Sequence, residues 1–145
     1  MIGLLQRVAE ASVVVDGDVI GRIDRGLMVL VGVQKADDAA RAERLLERLL
    51  GYRVFPDATG RMNLSVRDVN GGLLMVPQFT LAADTRKGTR ASFTAAAQPE
   101  VGEKLFALLV ERARAAHPIV EAGRFGADMK VGLVNDGPVT FWLES

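Results

Sequence analysis

The sequence has no cysteine and only one histidine in 145 residues. Without cysteine there is no disulfide framework, no thiolate nucleophile and no cysteine-based zinc site. A metal centre would rest on carboxylates and His117 alone, and no carboxylates fall at metal-ligand or paired spacing. Net charge is absent as well: Lys and Arg total 18, and Asp and Glu total 18. That balance argues against tight, nonspecific binding of nucleic acid. No apolar run approaches a membrane span, and Gln6 and Arg7 interrupt the N-terminal segment before a signal-peptide core can form. A soluble, cytoplasmic protein without membrane association is expected. Repeats, low-complexity tracts and linkers are missing too, and a 49% hydrophobic content in a chain of this length suits one domain over residues 1–145.

What is present is hydrophobic periodicity of two kinds. Residues 2 to 33 read as three strands: Ile2 to Val8, Ser12 to Val15 turning through Asp16-Gly17-Asp18 into Val19-Ile20, and Gly26 to Val33. Asp-Gly between β-branched runs marks a hairpin. Between about Asp38 and Leu50, Ala42, Leu45, Leu46, Leu49 and Leu50 share one helical face, and Gly51 stops the helix. Tyr52 to Phe55 reads as a short strand and residues 56–60 as a loop. Residues 72–81 read as a buried strand, apolar on both faces until Pro77. A second helix is expected from Pro99 through Val101, Leu105, Leu108, Leu109, Ala113 and Ala116, with Pro99 suited to its first turn. Strands near Met129 to Val134 and Val139 to Glu144 close the chain. Two helices among about seven strands predict an α/β domain in layers, a mixed sheet curled on itself with the helices on one side.

Two segments carry chemistry. In Asn135-Asp136-Gly137-Pro138-Val139-Thr140, a Gly-Pro bond precedes a β-forming run. The four residues from Asn135 are ordinary turn formers, but Gly-Pro also adopts cis geometry at low cost, turning two carbonyls toward one side as a rigid acceptor pair. The second segment is Pro77-Gln78-Phe79-Thr80-Leu81. Together the two resemble the signatures of the D-aminoacyl-tRNA deacylases, Ser-Gln-Phe-Thr and Asn-X-Gly-Pro-Val-Thr. Gln6-Arg7-Val8, Met62-Asn63-Leu64-Ser65-Val66, Asp84-Thr85-Arg86-Lys87-Gly88 with Ser92-Phe93, and Gly123 through Met129 match in order, so the resemblance spans the chain. One position departs from it: Pro77 stands where the family has serine.

The resemblance implies a β/β/α layered, barrel-like fold. It also implies a homodimer in which the Gly-Pro of one subunit enters the pocket of the other, and a substrate that is the 3′ end of an aminoacyl-tRNA. Gln78, Phe79 and Thr80 are then the candidate catalytic residues, and Pro77, Gly137, Pro138 and Arg7 the candidate substrate-binding residues, with Arg7 bracing the Gly-Pro. No cofactor is expected. A threonine hydroxyl without a base is a poor nucleophile, so Thr80 is expected to orient water or substrate while the N–H groups of Phe79 and Thr80 stabilise the ester oxyanion. The ribose hydroxyl beside the ester can assist attack by water. Carbonyls of Gly137 and Pro138 pressed against the α-carbon would reject an L side chain but could not reject glycine. His117 is expected on the surface at a helix C-terminus, and Asp84, Asp128 and Asp136 in turns for backbone reasons. Arg86, Lys87 and Arg90 form a local basic loop, whether merely solvated or in contact with RNA. Two other functions compete: a non-catalytic RNA-binding module on the same fold, and a general esterase.

Overall fold

The computed structural model describes residues 1–145 throughout. Its elements are β1 (Ile2–Val15), β2 (Asp18–Ile23), β3 (Gly26–Gly32), α1 (Ala39–Gly51), β4 (Phe55–Pro56), β5 (Met62–Leu64) and β6 (Gly72–Pro77). A 3₁₀ turn (Phe79–Ala82), α2 (Pro99–Ala116), β7 (Val120–Ala122) and β8 (Lys130–Glu144) complete the chain. β1 is one strand, not the two expected. Its partners explain why: β2 and β3 together form the return arm of a single hairpin, pairing Ala11 with Ile23, Val8 with Gly26 and Ile2 with Gly32, while β8 runs along the other edge of β1 from Ile2, opposite Glu144, to Val14, opposite Lys130. β3 and β6 pair in parallel, as do β6 and β7. Across the remaining gap β2 approaches β7; a Cβ on Gly21 would lie 3.2 Å from Ala122 O. The sheet is thus a nearly closed, mixed barrel.

The two faces of β6 bury different cores. Leu73 and Met75 join the larger cluster with Leu45, Leu49, Phe106 and Leu109 beneath the helices. Leu74 and Val76 pack with Val8, Val13 and Met28 inside the curl. A strand buried on both faces reads as an uninterrupted apolar run, which is why its alternation is invisible in the sequence. At the β3–β6 crossing, a Cβ on Gly26 would stand 2.0 Å from Gly72 O, so only glycine permits that backbone approach.

α1 buries Ala42, Leu45, Leu46, Leu49 and Leu50 as its spacing requires, and Asp38 caps it by accepting from Arg41 N at 2.9 Å. α2 starts at Pro99, but its buried face is Gly102, Phe106, Leu109, Val110 and Ala113. Val101 and Ala116 are exposed, and Leu105 and Leu108 only partly buried. Phe106, the largest apolar side chain on the helix, takes the core, and Gly102 turns inward because the Phe125 ring lies 3.3 Å from where its Cβ would be. Tyr52–Phe55 is not a strand: the two-residue β4 pairs instead with β5, a partner too short and too polar to announce itself.

His117 is not on the surface. It is 4% exposed, and its Nε2 lies 2.7 Å from Gly71 O. Pro118 ends the helix there, and extended backbone at His117 folds the ring back against the start of β6. The α-ammonium of Met1 is also buried, 2.6 Å from Asp37 Oδ1, while Asp37 Oδ2 accepts from Gln34 N at 2.6 Å. Nothing in the sequence distinguishes Asp37 from a loop aspartate. Because removing one partner strands the other's charge in the interior, Asp37→Asn is expected to cost about 3 kcal/mol, read as a lower urea midpoint. An unchanged midpoint would show the pair to be energetically idle.

Candidate active site

β6 ends at Pro77, which pairs with Val31, and Gln78 N still donates to Val31 O at 2.7 Å. Residues 78–81 are therefore not the strand extension expected from the sequence: the chain leaves the sheet and winds into the 3₁₀ turn. Pro77 fits because alternate residues of β6 donate toward β7. Leu73 N donates to Ile119 O at 2.9 Å, and the paired residues of β7 stop at Ala122, opposite Met75. The nitrogen of Pro77 points past that end, where no ladder bond is lost.

Where β6 leaves the sheet, a mostly apolar pocket of about 450 Å³ opens between the first turns of α2 and the run leading into β8. Pro77, Gln78 and Phe79 line it, opposite Phe125, Ala127 and Met129. Phe125, Gly126 and Ala127 lie in a turn, with Ala127 N donating to Arg124 O at 3.3 Å and Gly126 at φ +75°, so no periodicity in the sequence assigns them to a wall. Phe79 is 59% exposed and its ring packs on Phe93 with centroids 5.2 Å apart, so it belongs to the rim rather than the core.

Thr80 is exposed beside the pocket rather than among its lining, and the Gln78 side-chain amide donates to its Oγ1. An amide N–H cannot accept the hydroxyl proton, so Thr80 has no base. Phe79 and Thr80 open the 3₁₀ turn, whose bonds run from Leu81 N to Gln78 O and from Ala83 N to Thr80 O. Their own N–H groups thus have no acceptor within the turn, leaving two adjacent donors beside the pocket.

Gly137 and Pro138 lie elsewhere. β8 is one strand where two were expected, and the turn residues form a bulge within it: Asn135 pairs with Val8 and Thr140 with Gln6, so Asp136–Val139 all stand opposite Arg7. Asn135 secures the bulge, accepting from Val139 N at 2.9 Å and donating to Thr140 Oγ1 at 2.8 Å. The Gly137-Pro138 peptide is cis, and Gly137 has φ +137°. Arg7 lies under the bulge, its Nε donating to Asp136 O at 2.9 Å and its Nη1 to Val54 O at 2.6 Å. Register separates this bulge from the pocket. Arg7 is level with Leu27 and Leu73, whereas the pocket sits at Val31 and Pro77, four residues up the sheet, or about 13 Å. Within one chain Pro77, Gln78, Phe79 and Thr80 come together, as do Arg7, Gly137 and Pro138, but the two groups do not.

The three aspartates are held locally. Asp84 accepts from Arg86 Nε, Nη2 and N; this holds its carboxyl well below the usual carboxylate range and raises the Arg86 guanidinium. Asp128 pairs with Lys130 at 3.0 Å, and Asp136 Oδ2 lies 3.6 Å from Arg7 Nε. None faces the pocket as a base.

Comparison with known proteins identifies the family. A family model described as D-Tyr-tRNA(Tyr) deacylase matches residues 4–144. Proteins named D-aminoacyl-tRNA deacylase from Alkalilimnicola ehrlichii and Thioalkalivibrio sulfidiphilus are 69% and 64% identical, covering 100% and 99% of this chain and 97% of each relative. Among solved structures, a c-Myc DNA unwinding element binding protein superposes with TM-score 0.95 at 38% identity, over 100% of this chain and 99% of that one. A probable eukaryotic D-amino acid tRNA deacylase, 17% identical, shares the fold with TM-score 0.88 over 99% of this chain and 98% of its own. No helix is long and apolar enough to cross a membrane. A match over nearly every residue, on the fold its relatives adopt, means that this chain belongs to the D-Tyr-tRNA(Tyr) deacylase family.

Proposed function

We propose that this chain hydrolyses the ester of D-aminoacyl-tRNA, releasing free D-amino acid and tRNA, and that it rejects L-aminoacyl-tRNA by steric selection at the α-carbon. Full-length identity of 69% to a protein named D-aminoacyl-tRNA deacylase is the observation that carries the hydrolase reading. In this mechanism the amino acid enters the pocket beside Phe79, and the N–H groups of Phe79 and Thr80 stabilise the developing oxyanion. Gln78 holds the Thr80 hydroxyl, which orients water. The ribose hydroxyl next to the ester supplies the assistance that no side chain offers.

Selection requires a second subunit. Gly137 and Pro138 are exposed and absent from the pocket of their own chain, so their carbonyls serve the pocket of a two-fold partner. β8 favours such an assembly: it pairs only with β1 and presents Val134, Phe141 and Trp142 to solvent. A long apolar edge strand left bare is a liability that association removes. Glycine has no side chain to collide with the carbonyls, so glycyl-tRNA is turned over too. The reaction takes place in the cytoplasm, where aminoacyl-tRNA is found.

D-tyrosyl-tRNA turnover by the purified chain tests the reading. Binding without turnover would leave an RNA-binding module, and equal hydrolysis of a small activated ester lacking the ribose would leave a general esterase. Activity is expected to fall on dilution below the dimer dissociation constant; a monomer with full activity at nanomolar concentration contradicts the cross-subunit site.

Pro77 gives a sharper expectation. If backbone N–H groups and the ribose carry the reaction, the side chain at this position matters little, and Pro77→Ser should change single-turnover deacylation of D-tyrosyl-tRNA by less than about tenfold, roughly 1.4 kcal/mol. A gain beyond a hundredfold would mean that the serine hydroxyl is catalytic and this chain a weakened editor.

A further inference from the structure

Residues 85–91 form a loop closed at its base by paired backbone bonds, Asp84 N to Ser92 O at 2.7 Å and Ser92 N to Asp84 O at 3.0 Å. The base is fixed to the candidate site on both sides. Asp84 follows the 3₁₀ turn that carries Phe79 and Thr80, and Phe93, one residue beyond the closure, packs on Phe79. The loop encloses a concavity of about 480 Å³ lined by Asp84, Arg86, Lys87, Arg90 and Ser92, with no hydrophobic residue. Arg86 is already neutralised by Asp84 at 2.6 Å. Lys87 and Arg90 are exposed and make no salt bridge, so two cations face solvent in a polar hollow whose base adjoins Phe79.

We infer that this loop binds the phosphodiester backbone of the substrate's single-stranded 3′ end, Lys87 and Arg90 each neutralising one phosphate. The inference rests on the deacylase reading, which puts the terminal ribose at Phe79 and Thr80. From a base at that position, half of a seven-residue loop reaches about 10 Å, and stacked nucleotides carry one phosphate per roughly 3.4 Å of strand. The phosphates just upstream of the esterified nucleotide therefore fall within reach. With zero net charge over the whole chain, two such contacts set the register of the strand without holding the whole tRNA tightly.

The test compares the chain with a double variant, Lys87→Gln with Arg90→Gln, on D-tyrosyl-tRNA and on D-tyrosyl-adenosine, which has the ester and ribose but no phosphate. Loss of about tenfold or more in kcat/KM on the tRNA through KM is expected, with nucleoside-ester turnover unchanged within about twofold. The dependence of log(kcat/KM) on log[salt] should flatten by about 1.4, the slope of two phosphates on a single strand. The charge-conserving exchange Lys87→Arg with Arg90→Lys should restore the tRNA rate. Equal losses on both substrates would make the loop a structural support of the pocket, and an unchanged tRNA rate would place the backbone elsewhere; either overturns the inference while leaving the deacylase reading intact. Failure of the unaltered chain on both substrates would instead remove that reading, and the inference with it.

Discussion

Gly137→Ala is expected to reduce D-tyrosyl-tRNA deacylation by at least about a hundredfold, or roughly 2.7 kcal/mol of transition-state stabilisation. An added Cβ would sit 2.7 Å from Val139 Cγ2 and 3.1 Å from both Arg7 Nη2 and Val139 N, at φ +137°, a conformation that L residues with a side chain rarely adopt. Relief requires the bulge to move off Arg7, and with it the carbonyls of Gly137 and Pro138. Because Asp136, Gly137 and Pro138 are exposed and only Val139 of the bulge packs on the apolar core, thermal stability should fall less than activity. Single-turnover rates on D- and L-tyrosyl-tRNA, with thermal melts as the folding control, check this. A variant that keeps both its rate and its preference for D would show that the position of Gly137 has no part in selection.

The second large effect lies in the substrate. Replacing the ribose hydroxyl beside the ester with hydrogen is expected to slow deacylation by more than about a hundredfold, whereas Thr80→Ala should slow it by less than that. The asymmetry follows from what surrounds the ester. There is no thiol in the chain, the one imidazole is buried against Gly71 O, and the Thr80 hydroxyl receives a hydrogen bond from Gln78 but has no group to take its proton. In the proposed mechanism water is therefore activated by the substrate itself, with the N–H groups of Phe79 and Thr80 holding the oxyanion. Complete loss in Thr80→Ala with an active deoxy substrate would reverse the assignment and make Thr80 the nucleophile.

Elements with a single exposed face were legible in the sequence, and those with two environments were not. α1 shows its five core residues at helical spacing because its other face meets solvent. The buried face of α2 was misread because the sequence does not reveal that Gly102 yields to Phe125 or that Phe106 points inward. Strand continuity was hidden for a similar reason. β1 changes partners midway and β8 accommodates a bulge, so local turn chemistry at Asn135 to Pro138 suggested a break where the ladder resumes. Motif positions identified the candidate site, but its shape depends on where β6 stops. Proline at position 77 hinted at that end, whereas the 3₁₀ turn that frees the two N–H groups carries no recognisable pattern. Buried polar pairs such as Met1 with Asp37, or His117 with Gly71, join residues far apart in sequence, and local composition cannot foresee them.

The most direct test of the account is single-turnover deacylation of matched D- and L-tyrosyl-tRNA, identical except at the α-carbon. Steric exclusion of the L side chain predicts rapid loss of the D ester and an L ester that decays no faster than in buffer, a ratio of at least about a hundredfold. Comparable enzymatic rates on the two would contradict selection at the α-carbon, and with it the role given to Gly137 and Pro138.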